Sequence, residues 1–248
     1  MYENQNPLIG RAMEYLEIAS RYVLLNFLWL LSIFPFAAVF FFILRYVFGI
    51  QESPWVLIFI PIFLASPATG GLYYATNQLA HGRDGGPLVY WEGLKTYIWP
   101  SYRWGLLNLT VAFLLNINIW FYGDAPWQFA PYLRVAFIVS AIFWSAVQMY
   151  TFPFMIEQED PWLKNALRNS LLAVARYPLR SFGFLLIVFA IAFVSTYLYF
   201  VLWVVISISL IAYLSNKNTL AVLNKLIAKE QELAEEKKLK EPPDKGEA

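Results

Sequence analysis

The chain has 248 residues, of which 59% are hydrophobic and only 14% charged, against roughly 25% charged in ordinary soluble domains, which excludes a water-facing globule. A formal net charge of +1 leaves no broad positive field for nucleic acid, so nucleic acid is not expected as a partner. The absence of cysteine and the single His81 exclude disulfides, thiol-ligated metals and multi-histidine sites.

Residues 1–21 mix charged and apolar groups without a short apolar run and small-residue cleavage pattern, so the first apolar block is expected to stay and act as its own insertion signal. Five blocks lack Asp, Glu, Lys, Arg and His: Tyr22 to Leu44, Ser53 to Ala80, Trp104 to Gly123, Val135 to Ile156 and Ser181 to Asn216. The first four are each near the ~20 residues that cross a ~30 Å hydrocarbon core as helix. The fold class expected is all-α, a polytopic transmembrane helical bundle, with its lipid bilayer as the first partner.

Basic residues set the orientation. The N-terminal segment and the second and fourth connections hold nine Lys and Arg, the first and third connections two, which puts the N-terminus inside. The fifth block, 36 residues long, is too long for one span and short for two. A hairpin near Tyr199 to Trp203 keeps the seven-lysine tail inside and gives six spans; one long tilted helix gives five and puts the tail outside. No Gly or Pro marks the turn. The returning arm of such a hairpin must continue through Asn216-Lys217-Asn218 into Thr219 to Ile227. The domain reading is a cytoplasmic amphipathic segment over 1–21, a transmembrane domain over 22–227 and a charged cytoplasmic tail over 228–248.

Two connections read as interfacial helices. In Trp162 to Arg180, Leu163, Leu167, Leu171 and Val174 share one face while Lys164, Arg168, Arg176 and Arg180 sweep the other. Leu88 to Arg103 is similar and aromatic, suited to the headgroup boundary. Arg21, Arg103, Lys164, Arg168, Arg176 and Arg180 are the candidate headgroup contacts. Arg21-Tyr22-Val23-Leu24-Leu25-Asn26 recurs as Arg103-Trp104-Gly105-Leu106-Leu107-Asn108, and Arg180-Ser181-Phe182-Gly183 opens the fifth block similarly. Either the chain holds three units of amphipathic segment plus hairpin, or these residues are simply common at inner boundaries. Thr219 to Glu241 reads as a solvated helical extension, and over the whole tail from Lys217 onward seven Lys are matched by seven acids.

Within the spans, Ser66-Pro67-Ala68-Thr69-Gly70-Gly71 stands out. Small residues at Gly70 and Gly71 admit a close neighbouring helix, and Pro67 frees the carbonyl four residues earlier. A broken helix lining a cavity with Asn26, Asn77 and Asn108 is one reading, and tight packing with a kink is the other. Amides at Asn26, Asn108, Asn116, Asn118 and Gln148 need partners at membrane depth. No charge sits mid-span, against a proton pump or voltage sensor. Glu157, Glu159 and Asp160 could hold a divalent cation, or could supply negative charge near the N-terminus of the following helix. No Walker loop, H-E-x-x-H pair or G-x-S-x-G elbow occurs, so neither an enzyme nor a cofactor is expected.

At Asn26-Phe27-Leu28-Trp29-Leu30, Pro67-Ala68-Thr69-Gly70-Gly71-Leu72-Tyr73, Tyr150-Thr151-Phe152-Pro153-Phe154 and Ala166-Leu167-Arg168-Asn169-Ser170-Leu171-Leu172, the chain resembles the YesL-like family of uncharacterised bacterial membrane proteins. The likeness runs from Met13 to Ile227. It departs in the long separation of Pro35 from Pro67, where family members keep these motifs close. The resemblance implies a bacterial cytoplasmic-membrane protein associated with carbohydrate uptake and sugar transporter subunits, and it carries over no catalytic or ligand residue. The function expected is a non-enzymatic accessory or assembly partner of such a system; the alternative is a small transporter or lipid-handling protein with a cavity near the cytoplasmic side.

Overall fold

A computed structural model describes residues 7–42, 45, 46, 49, 66–197 and 201–240. The protein is an all-α membrane bundle. Its helices are α1 (Pro7–Phe42), α2 (Ser66–Ala80), α3 (Pro87–Thr96), α4 (Ile98–Asp124), α5 (Ala130–Glu157), α6 (Leu163–Arg176), α7 (Pro178–Tyr197) and α8 (Ile208–Lys240), the last entered through a π-helical turn at Trp203–Ser207. Among the described residues five stretches are long and apolar enough to cross a membrane: Leu16–Phe34 within α1, α4, α5, α7, and Trp203–Glu232. Of the expected second span, residues 53–65 lie outside the described residues, and its inner part is α2.

Serine pairing shows that the fifth apolar block is a hairpin. Ser195 and Ser207 place their Oγ atoms 2.7 Å apart, and Trp203 Nε1 donates to Thr196 Oγ1 at 3.1 Å. In one continuous helix a separation of twelve residues spans about 18 Å, so the single tilted helix is excluded. The returning arm runs unbroken through Asn216, Lys217 and Asn218 because both asparagines turn inward. Asn216 Nδ2 donates to Tyr73 O and Thr76 Oγ1, both at 2.9 Å, and Asn218 Nδ2 to Tyr150 Oη at 2.8 Å.

Proline sets two boundaries differently from the expected ones. Leu88 to Arg103 is not one helix: Pro100 cannot donate to Thr96 O, so α3 stops there, Tyr97 (φ −102°, ψ 15°) forms the joint, and Arg103 belongs to α4. Likewise Trp162 to Arg180 divides at Tyr177 (φ −128°, ψ 58°) before Pro178, leaving Arg180 on α7. A short amphipathic helix, a single tyrosine and a span thus occur twice, at α3–α4 and α6–α7. In the first third α1 instead runs straight through the 21/22 boundary.

The core gathers at the end of the bundle where α3 and α6 lie. It includes Leu25, Leu72, Tyr90, Val147, Tyr150, Phe152, Met155, Val174 and Val222. At its centre α2 packs against α1, α3, α4, α5 and α8. Small residues on α2 make this possible. A Cβ on Gly70 would stand 2.2 Å from Ser101 Oγ on α4, and one on Gly71 2.8 Å from the carbonyl oxygen of Tyr90 on α3. At the opposite end, among the described residues, α4 and α5 have little but each other, and only 6% of the apolar window of α4 is buried.

Candidate functional site

Of the intramembrane amides, Asn26, Asn108 and Gln148 make helix–helix bonds, whereas Asn116 and Asn118 donate to Ala112 O and Leu114 O of their own helix. Asn26, fully buried, inserts its side chain into the π-helical turn of the last span. Its Nδ2 donates to Trp203 O at 2.8 Å and to Val204 O, and its Oδ1 accepts from the Ser209 N–H at 3.0 Å. A π turn displaces the ladder by one residue, and Asn26 completes it from outside. Ser209 Oγ answers with a bond to Tyr22 O at 2.9 Å.

The other predicted positions are placed in three separate contacts. Thr69 Oγ1 accepts from Trp29 Nε1 at 3.1 Å, joining α2 to α1. Asn108 Nδ2 donates to Gln148 Oε1 at 3.1 Å and its Oδ1 accepts from Trp144 Nε1 at 3.1 Å, while Trp104 Nε1 donates to Gln148 Oε1 at 2.8 Å. Asn77 Nδ2 donates to Glu157 Oε1, which stands 3.7 Å from His81 Nε2. Pro67 is buried in α2, and the carbonyl it was expected to free, that of residue 63, lies outside the described residues. Asn26, Asn77 and Asn108 thus serve different seams, and Gly70 and Gly71 are close-approach positions between helices.

Sequence reasoning missed the partners Trp104, Trp144 and Ser209, and the chain from Arg180 Nε to Asn218 Oδ1 (2.7 Å) to Tyr150 and Ser181. Indole N–H groups beside amides in a span are the available signal for the first two. Backbone partners leave no such signal.

At the α3/α6 end two tyrosines outside the spans are held neutral. Burial pushes the Tyr90 hydroxyl up to about 12, with its bond to Ser32 opposing. Burial, then Tyr74 and Glu157, pushes Tyr97 up to about 12. Glu159 and Asp160 are exposed; among the described residues no three His, Cys, Asp or Glu side chains stand together as a metal set.

The six candidate headgroup cations separate into two groups. Arg21 is bound to Glu17 at 2.9 Å and Asp84 at 3.1 Å, and Arg180 to Asn218. Arg176 lines a groove of about 580 Å³ whose walls also hold Glu157 and Glu230. Arg103, Lys164 and Arg168 converge instead on a wider groove of about 710 Å³ between α4 and α6, floored by Leu107, Leu163, Leu167 and Leu171. Arg103 lies over the Trp162 ring, 5.7 Å from its centroid.

No protein-family model, curated protein or solved structure matches the chain.

Proposed function

We propose that this is a non-enzymatic multi-pass protein that serves as an accessory or assembly partner in a bacterial cytoplasmic membrane, with six spans and both termini inside. The observation that carries the reading is the outward face of α4. Asn116 is exposed there, and among the described residues its Nδ2 bonds to the carbonyl of Ala112 in its own helix, at 2.8 Å. An amide on the hydrocarbon side of a span leaves its oxygen unmet, and in membranes such groups are matched by neighbouring helices. The resemblance to the YesL-like family makes a carbohydrate uptake system, and its transporter subunits, the proposed partner. A solute path through Asn26, Thr69, Gly70, Asn77 and Asn108 has less support, since each is engaged in a helix seam.

Purification in native lipid, with mass spectrometry of what accompanies the chain, tests the reading. A transporter subunit is expected with the wild type and is lost with Asn116→Leu, while thermal stability is unchanged. Recovery of the same partner with N116L, or no reproducible partner at all, would overturn it. For the topology, a reporter fused after Ala248 should be active only as a cytoplasmic enzyme; activity confined to the outside would refute it.

A further inference from the structure

We infer that the groove between α4 and α6 is a binding site for an anionic phospholipid, with the phosphate held by Arg103, Lys164 and Arg168 and an acyl chain lying on Leu107 and Leu167. This stands apart from the assembly reading, which concerns the opposite end of α4.

Charge comes first. Among the described residues three cations line the groove and no carboxylate does. Lys164 and Arg168 sit four residues apart on one helix, where like charges repel, and neither has an ion pair among the described residues. The helix that carries them opens at the groove without a side-chain cap, since its N-cap residue is Trp162. Its free N–H groups and the positive end of its dipole add to the same potential. Lys164 and Arg168 are exposed, so the repulsion between them is only about 0.2 to 0.5 kcal/mol, and an anion beside them turns it into attraction.

Shape then selects a lipid over a soluble phosphate. Leu107 lies one turn, about 6 Å, further along α4 than Arg103, so the groove descends from a cationic rim onto an apolar floor. Trp162, Leu171 and Leu172 are exposed beside it at 53%, 43% and 57%, as suits the boundary between headgroups and chains. A zwitterionic headgroup would bring an ammonium to a rim that offers it no carboxylate. The net-negative class, such as phosphatidylglycerol, therefore fits best.

The test uses the full chain in phosphatidylcholine nanodiscs doped with phosphatidylglycerol, with retained lipid read by native mass spectrometry. Lys164→Gln with Arg168→Gln removes two cations that have no ion pair or side-chain hydrogen bond among the described residues. At about fivefold per charge near an anionic surface, the double variant should retain phosphatidylglycerol about twenty-five-fold more weakly. Arg176→Gln, outside the groove, should leave retention unchanged, and excess inorganic phosphate should not displace the lipid. Wild-type retention in the double variant, equal retention of phosphatidylcholine, equal loss in R176Q, or displacement by phosphate alone would each overturn the assignment. A Leu167→Asp variant, which keeps all three cations, should also weaken retention; unchanged retention there would reduce the site to a phosphate contact and refute the lipid.

Discussion

Replacing Asn26 by Leu keeps the number and branching of the heavy atoms of a fully buried side chain and removes the three bonds it makes to Trp203, Val204 and Ser209. Interhelical side-chain bonds in membranes average about 0.6 kcal/mol, so the two to Trp203 and Val204 amount to about 1 kcal/mol. The Ser209 N–H is left buried without its acceptor, which costs about 1 to 3 kcal/mol. The expected loss is therefore about 2 to 4 kcal/mol, large for one substitution in a fold of ordinary stability. Reversible unfolding of the full chain in bicelles by SDS titration measures it. Amide hydrogen exchange gives a local check, since Ser209 should exchange faster in N26L relative to Ala212. A loss below about 1 kcal/mol, or unchanged protection at Ser209, would refute the view that a side chain completes this ladder.

Gly70→Ala should cost about 1 to 3 kcal/mol by overpacking, and much of that cost should vanish in a Ser101→Ala background, because the obstructing Oγ, 2.2 Å from the new Cβ, is then gone; additive effects in a double-mutant cycle would count against the close approach. Since the chain has no cysteine, Ser195→Cys with Ser207→Cys gives a clean pair that should oxidise to an intramolecular disulfide in the membrane, whereas failure to cross-link would contradict the hairpin. Tyr90 and Tyr97, each pushed up to about 12, add stability that is fully present below the unfolded value near 10 and is lost as pH rises from there towards 12. Thermal melts across that range should fall more gently in Tyr90→Phe, and tyrosinate absorbance showing both groups ionising near 10 in the folded protein would contradict their burial.

The spans were legible because they depend on one-dimensional properties. The charge-free run from Ser181 to Asn216 and the lysines after it demanded a return through the membrane even with no Gly or Pro at the turn, and the Ser195–Ser207 contact shows that return. Asn26 was legible as an amide in need of a partner, but the partner is the backbone of residues 177 to 183 positions later, and carbonyl groups are the same whatever the residue. Gly70 and Gly71 announced a close approach without saying to what; each of the two adjacent glycines meets a different helix. Of the cations, Arg21 and Arg180 looked equivalent to Arg103. Only the fold brings Asp84 to the first and Asn218 to the second. The two helix boundaries were misplaced although Pro100 and Pro178 were visible, because amphipathic periodicity continues across each joint while the hydrogen-bond ladder does not.

The single-residue joints at Tyr97 and Tyr177 fix how this protein meets a bilayer of changing thickness. With no slack between α3 and α4, or between α6 and α7, an interfacial helix cannot rise or sink without carrying its span along. Each pair is a bracket that locks vertical position at one leaflet. By rise per residue α4 measures about 40 Å against a hydrocarbon core of about 30 Å. In a thinner or thicker membrane the mismatch, worth a fraction of a kcal/mol per Å, is therefore taken up at the far ends of the spans, where among the described residues α4 and α5 lean on little but each other.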